Sequence, residues 1–333
     1  MQPNIRDLHA TPTGRAMRIA VVLVNWNNTQ DTKACLHSLA AARVQCRSAT
    51  VDIVVVDNHS STVQRDALKQ LEGQEETGNP TIIALIDNAG LATGYNAGIR
   101  YAMAHFKSDA IWLLNNDTVV DVHSIEALAV ALSACPEVRI LGSTIYTMAS
   151  PPTLYAAGGF RYHAALSIPV PIQSDRELSG ADTCVRLSAM DYVSGIAMCV
   201  RTECFAEFGM MDESYFLYYE ELQLVRQCGG KQFLAWCPAS IVYHAGGGST
   251  GSRDPNRGLG SPLAHYYGNR SALYYTRRHH PWWLPVVFIF RFVAKSFLFV
   301  RYGEWSGFRP LLQAYRDFLL PGGLRRRYVP DRS

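Results

Sequence analysis

The stretch AIWLLNNDTVV, residues 110–120, decides how this chain is read. Five apolar residues (110–114) stop abruptly at Asn115, Asn116, Asp117 and Thr118. An apolar run without alternation marks a strand buried on both faces, as in a parallel sheet covered by helices. Three polar side chains at its C-terminal end can bind a cation or a sugar.

The same design recurs upstream. RIAVVLVN (18–25), VDIVVVDN (51–58) and TIIALID (81–87) are apolar, β-branched runs that end in polar groups. Helical segments fall between them. One is capped by Thr29 or Asp31 and runs through Ala42, a polar one spans 62–72, and GYNAGIRYAMAHF covers 94–106. HSIEALAVALSACP (123–136) is a fourth helix, stopped by Pro136. This alternation predicts an α/β fold with a parallel sheet between helical layers. The strand ends carry Asn25 and Asn27, Asp57 and Asn58, Asp87 and Asn88, then Asn115 to Asp117. In an open α/β sheet that edge binds ligands. Any one of these residues alone is an ordinary turn residue, but four sets in register point to a site.

Farther along, prolines and glycines between 147 and 190 break the alternation. A helix is expected from about Tyr219, ended by Gly229-Gly230, and then two short strands and a Gly-rich loop over 232–250. The chain divides into a flexible leader (1–16), a catalytic domain (17–250, with halves 17–146 and 147–250) and a C-terminal helical region (251–333).

Composition supports one large core, with 48% hydrophobic and only 18% charged residues in 333. The net charge of +3 argues against a nucleic-acid partner. Its distribution is uneven: residues 277–333 hold 11 Lys+Arg against 3 Asp+Glu, and the rest holds 20 against 25. A basic, aromatic-rich tail suits an anionic surface. None of the eight cysteines forms a Cys-x-x-Cys pair, which argues against a zinc site. The first apolar run, 19–24, is too short for a signal peptide, so the body is expected in the cytoplasm.

The residues allow specific chemistry. Asp117 at a strand end can hold Mg²⁺ or Mn²⁺, which need few protein ligands when phosphate oxygens supply the rest. Asn115 and Asn116 are neutral hydrogen-bonding neighbours, and Asp57 can accept from a base or ribose. Gly94 and Gly98 share a helix face that admits backbone or ligand, but 88–98 is not a dinucleotide fingerprint. Glu220 and Glu221 open a helix; they are either first-turn acids favoured by the helix dipole or a general base tuned by burial. His244 is a metal or phosphate ligand, or a structural histidine.

Five ordered segments resemble the family 2 glycosyltransferases with the GT-A fold, in the bacterial rhamnosyltransferase-like branch. They are VVLVNWNN (21–28), VVVDNHSS (54–61), NAGLATGYNAGI (88–99), WLLNNDTVV (112–120), and GMMDESYFLYYEELQLVRQCG (209–229) with VYHAGGGS (242–249). The resemblance covers about residues 17–280. It implies a Rossmann-like nucleotide-sugar fold, with Asp117 and His244 at the metal and Glu221 as catalytic base. It also implies donor contacts from Asn25, Asn27, Asp57, Asn88, Gly94, Asn96, Asn115 and Asn116. Asp212, Glu220, Ser194 and Gly195 fall on the acceptor side. Three positions depart from the pattern: the base is Glu rather than Asp, Gln223 stands where a second Asp is usual, and Thr62 lies near the place of an acid that commonly follows the 54–61 segment.

The implied activity is inverting transfer of a sugar, best matched by L-rhamnose from dTDP-L-rhamnose, to a glycan or lipid-linked glycan in surface polysaccharide or O-antigen synthesis. A UDP-sugar donor is the nearest alternative, and an inactive sugar-nucleotide-binding or membrane scaffold is another. A nucleotidyltransferase would want a basic Gly-rich loop after the first strand, and NWNNTQ (25–30) has none.

In the tail, 285–300 is apolar but shorter than the ~20 residues a spanning helix needs. Arg291 and Lys295 lie four apart, on one helix face. With Trp282, Trp283 and Trp305 flanking, and Arg325, Arg326 and Arg327 beyond, the expectation is a helix lying in the inner leaflet of the membrane. A homo-oligomer contact is the rival reading of this apolar face.

Overall fold

A computed structural model describes residues 16–173, 182–246, 260–323 and 327–328. The expected leader, most of the Gly-rich loop, Arg325 and Arg326 lie outside the described residues.

The first half follows the predicted alternation: β1 (Met17–Asn25), α1 (Thr29–Gln45), β2 (Ala49–Asp57), α2 (Thr62–Lys69), β3 (Thr81–Ala84), α3 (Leu91–Tyr101), β4 (Ala110–Asn115), β5 (Thr118–Val120) and α4 (Ser124–Ala134). The second half adds β6 (Ile140–Thr147), β7 (Leu154–Ala157), β8 (Gly159–His163), β9 (Ile168–Pro171), β10 (Tyr192–Val193), β11 (Ala197–Arg201), α5 (Thr202–Phe208), α6 (Glu220–Gln227) and β12 (Leu234–His244). Three helices close the chain: α7 (Pro262–His279), α8 (Leu284–Tyr302) and α9 (Phe308–Leu319).

The main sheet runs β3-β2-β1-β4-β11-β6-β12-β5, with β7 beside β6. Its first four strands are parallel, whereas β11 and β5 pair antiparallel with their neighbours. Burial on both faces explains the unbroken apolar strands, since Ile19, Val22, Leu23, Val54, Val55, Trp112 and Leu114 are all solvent-inaccessible or nearly so. Two core layers result, one on each side of the sheet. α3 lies unusually close to β1, because a Cβ on Gly98 would stand 2.3 Å from Val22 Cγ1 and one on Gly94 2.8 Å from Val24 Cγ1.

Four local expectations are corrected. Neither Thr29 nor Asp31 caps α1; Asn28 occupies that position. Thr29 is tied to α2 instead, its N–H donating to Gln64 Oε1 (3.0 Å) and its hydroxyl to the Gln64 carbonyl (2.9 Å). The strand read in AIWLLNNDTVV ends at Asn115, and the turn beyond it leads into β5. The two strands expected over 232–250 are one strand with a bulge between Cys237 and Ile241. The apolar tail helix is 19 residues rather than 16, and with its lead-in turn Pro281–Tyr302 spans 22 residues, of which an 18-residue stretch has mean hydropathy 1.8. Length alone therefore permits a crossing of the bilayer.

Candidate active site

Sheet register assembles one end of the site. Asn25 pairs with Asp57 across β1 and β2, and Val24 with Asn115 across β1 and β4. Three strands thus end side by side. Asn25 is fully buried and donates to Asp57 Oδ1 (3.4 Å) and Ser60 Oγ (3.2 Å), while the Thr32 hydroxyl donates to its Oδ1 (2.9 Å). The Asn116 amide donates to Thr32 Oγ1 (2.9 Å), which joins the β4 end to the same network. Asp57 also takes two long bonds from the Ser60 N–H and an ion pair from Arg65 Nε at 3.4 Å. Asn27 adopts a left-handed φ of 52°, fixed from both sides by Ser60 Oγ and the Ser61 N–H. Asn88 accepts from Asn58 Nδ2 (3.0 Å) and the Gly90 N–H (3.1 Å), which shapes the loop into α3.

The β5–β12 pairing brings in His244, whose register partner is Thr118. Its Nε2 stands 3.3 Å from Asp117 Oδ1, with both side chains largely buried. A carboxylate and an imidazole that converge in this way fit a divalent cation. Among the described residues no three His, Cys, Asp or Glu side chains gather into a group that could hold a metal ion.

Glu221 forms the other end. α6 starts after two consecutive left-handed residues, Tyr218 (φ 66°) and Tyr219 (φ 74°). Strain of this kind persists only where neighbours enforce it. Here the Tyr219 hydroxyl bonds Ser167 Oγ (2.8 Å) and the Ser167 carbonyl (3.0 Å), and Tyr162 bonds the same Ser167 Oγ (2.9 Å). The helix therefore begins at a fixed angle and aims Glu221 into a pocket of about 220 Å³. Among the described residues Glu221 Oε2 is buried with no hydrogen-bond partner. Burial pushes its carboxyl up to about 7, and Glu220, buried beside it, is raised well above the ordinary carboxylate range by burial and by the charge of Glu221. A carboxylate near neutrality, with an oxygen left over, is suited to proton transfer.

The remaining predicted residues fall in distinct places. Gly195 abuts Glu221, since a Cβ there would touch its side chain at 3.5 Å. Ser194 is buried in the turn before β11, its Oγ accepting from the Ile196 N–H (3.3 Å). Asn115 accepts from the Tyr95 hydroxyl (3.3 Å). Asn96 faces away from the strand ends, bonded to Met211 N–H, the Met211 carbonyl and Glu213 Oε1, and so acts as a strut between α3 and 211–213. Gly94 is taken up by packing on β1. Asp212 caps a turn and pairs with Arg278 at 2.6 Å. Gln223 Oε1 lies 2.6 Å from His279 Nε2.

Sequence reasoning missed Ser60, Thr32 and Ser167, whose roles depend on pairing across the sheet or between loops. It placed Arg291 and Lys295 on one face of a membrane-lying helix and gave them no part in the site. In the structure both line the Glu221 pocket. Arg291 is drawn inward by the carbonyls of Ser167 and Gly268 and by Asn269 Oδ1, at 2.8, 3.1 and 3.2 Å.

The mixed sheet, with a buried polar edge, an Asp117–His244 pair at one strand end and an acid on an adjoining helix, has the architecture of the GT-A fold. Solved structures agree on the fold. GalNAc-T7 with UDP, GalNAc and Mn²⁺ superposes with a TM-score of 0.55 at 18% identity, covering 69% of this chain and 44% of that one. Mannosyltransferase PcManGT from Pyrobaculum calidifontis, in complex with GDP-Man and Mn²⁺, gives 0.51 at 13% identity over 96% and 86%. S. aureus TarS 1–349 gives 0.51 at 13% over 92% and 82%.

The model of the glycosyltransferase like family 2 matches residues 16–254, and the chain belongs to that family, in its rhamnosyltransferase-like branch. It is 27% identical over 284 residues to the N-acetylglucosaminyl-diphospho-decaprenol L-rhamnosyltransferase of Mycobacterium tuberculosis, covering 80% of this chain and 86% of that protein. It is 25% identical over 218 residues to the low-salt glycan biosynthesis hexosyltransferase Agl10 of Haloferax volcanii, covering 62% of this chain and 59% of that protein.

Proposed function

We propose that this enzyme transfers one sugar, with inversion, from a nucleotide donor to a hydroxyl of a lipid-linked glycan in surface polysaccharide synthesis. L-Rhamnose from dTDP-L-rhamnose is the donor we assign, in line with the activity named for the mycobacterial relative. The observation that carries the reading is Glu221, with its unpartnered Oε2 and its carboxyl raised to about 7 at the mouth of a pocket.

In this mechanism Glu221 accepts the proton of the acceptor hydroxyl as its oxygen attacks the anomeric carbon. The attack comes from the face opposite the nucleotide, so configuration inverts in one displacement. Asn25, Asp57 and Asn116 hold the donor at the strand ends. Asp117 and His244 would hold Mg²⁺ or Mn²⁺, which when bound would supply positive charge for the leaving diphosphate.

We place the protein at the cytoplasmic face of the membrane that carries its acceptor. The outer face of α8 supports this, as Ile289, Val293 and Phe297 are well exposed and Trp282 is 92% exposed. Only 11% of the apolar window of this helix is buried, unlike a core helix.

The test is donor binding and slow donor hydrolysis by purified protein across dTDP- and UDP-sugars, with and without Mg²⁺ or Mn²⁺. Cation-dependent selection of dTDP-rhamnose is expected. Selection of another nucleotide sugar would replace the donor, and a folded protein that binds none of them would overturn the reading.

A further inference from the structure

We infer that Arg291 and Lys295, on the inner face of α8, form a subsite for the anionic phosphate-ester group of the acceptor. This makes α8 a specificity element of the site as well as a candidate membrane contact. The inference rests on the transferase reading for the identity of the ligand as acceptor, and on the geometry alone for its charge.

The pocket beside Glu221 is walled by Tyr162, Tyr192 and Tyr219 and closed by Arg291 and Lys295. None of Asp57, Asp117 or His244 lines it. The pocket is therefore separate from the cation pair and strand ends assigned to the donor. Aromatic walls suit the apolar faces of a sugar ring, and the two cations suit an anion attached to that sugar.

Arg291 is held rigidly but not neutralised. Its three hydrogen-bond partners are all uncharged oxygens: the Ser167 and Gly268 carbonyls and Asn269 Oδ1. Among the described residues this partly buried guanidinium has no carboxylate partner, an arrangement that is costly. Lys295 is pushed down to about 8 by burial and then by the charge of Arg291.

The Glu221 carboxyl is raised by burial, against backbone hydrogen bonds that lower it. The pocket thus has a proton acceptor at one end and positive charge at the other. A ligand with a hydroxyl at one end and a phosphate ester at the other satisfies both. A sugar joined to a lipid through a diphosphate has that form. The apolar outer face of α8 lies on the other side of the same helix.

The subsite is tested by binding of farnesyl diphosphate, with farnesol as control, to the full chain in detergent. EDTA is present so that no metal at Asp117 can recruit the diphosphate. Farnesyl diphosphate is expected to bind at least tenfold tighter than farnesol. Arg291→Gln and Lys295→Gln are each expected to weaken it at least tenfold, with recovery in Lys295→Arg. Lys295→Gln guards against a folding defect from the loss of the Arg291 bonds. Equal affinity across wild type and all variants overturns the subsite.

A second arm measures sedimentation with phosphatidylglycerol and phosphatidylcholine vesicles. If Lys295→Gln lowers phosphatidylglycerol binding but leaves farnesyl diphosphate binding intact, the cations read headgroups and the acceptor assignment falls. No donor is present in either arm. A failed donor panel alongside Lys295-dependent diphosphate binding would therefore remove the transferase reading and leave the anionic subsite standing.

Discussion

The two ends of the site are built in opposite ways. At the strand ends the polar groups already hold one another: Asn25 with Asp57, Ser60 and Thr32, Asn116 with Thr32, and Asp117 with His244. At the other end the central carboxylate keeps a buried oxygen without a partner, and two cations share a helix face. A prearranged network suits a ligand part that every donor shares, the nucleotide diphosphate. An unsatisfied carboxylate suits a group whose proton must be removed. Preorganisation serves binding in the first region and reactivity in the second.

The sharpest way to break this contrast is Glu221→Gln. It is expected to lower kcat by about 10²–10⁴ if the residue is the general base. Donor titration should show the nucleotide sugar still bound, and near-normal turnover would end the assignment. Asp117→Asn probes the other end and is expected to cost about 10²–10³ in kcat through lost charge stabilisation. In this variant the cation dependence of donor binding should fade, as calorimetry with and without Mn²⁺ would show.

A smaller effect comes from pH. A base raised to about 7 is active when ionised, so kcat/KM should fall about tenfold per unit below that pH. A profile with its acid limb near pH 4.5 would place the base elsewhere.

The smallest effect is on stability. Burial favours the neutral carboxyl of Glu221 in the folded state, since its pKa rises from 4.5 to about 7. That contribution is complete below about pH 4.5 and is lost as pH climbs through about 7. Glu221→Gln should therefore melt above wild type at about pH 8, with the two converging near pH 4 in calorimetric scans.

The contrast also explains what could be read without coordinates. β1 to β4 and the polar residues at their ends were legible because each strand is a continuous apolar run that stops at a polar group. Asp117 is legible from its place at a strand end and His244 from the family resemblance, and the β5–β12 pairing brings the two together. The acceptor end joins Tyr162, Ser167, Tyr219 and Arg291 from three distant segments, and no local pattern announces such a meeting. Arg291 and Lys295 were correctly placed on one helix face, but helical spacing cannot say which way that face turns. The carbonyls at Ser167 and Gly268 decided it.

The position of α8 has a consequence for substrate size. An α-helix with its side chains is about 10–12 Å across. One side of α8 walls the pocket and the other faces outward, so this single thickness separates Glu221 from any surface on which the helix rests. A sugar tethered to that surface by a short linker presents its hydroxyl at the height of the carboxylate. A sugar at the end of a longer glycan stands above it. The helix works as a depth gauge, and it would assign this enzyme to an early sugar in a growing chain rather than a late one.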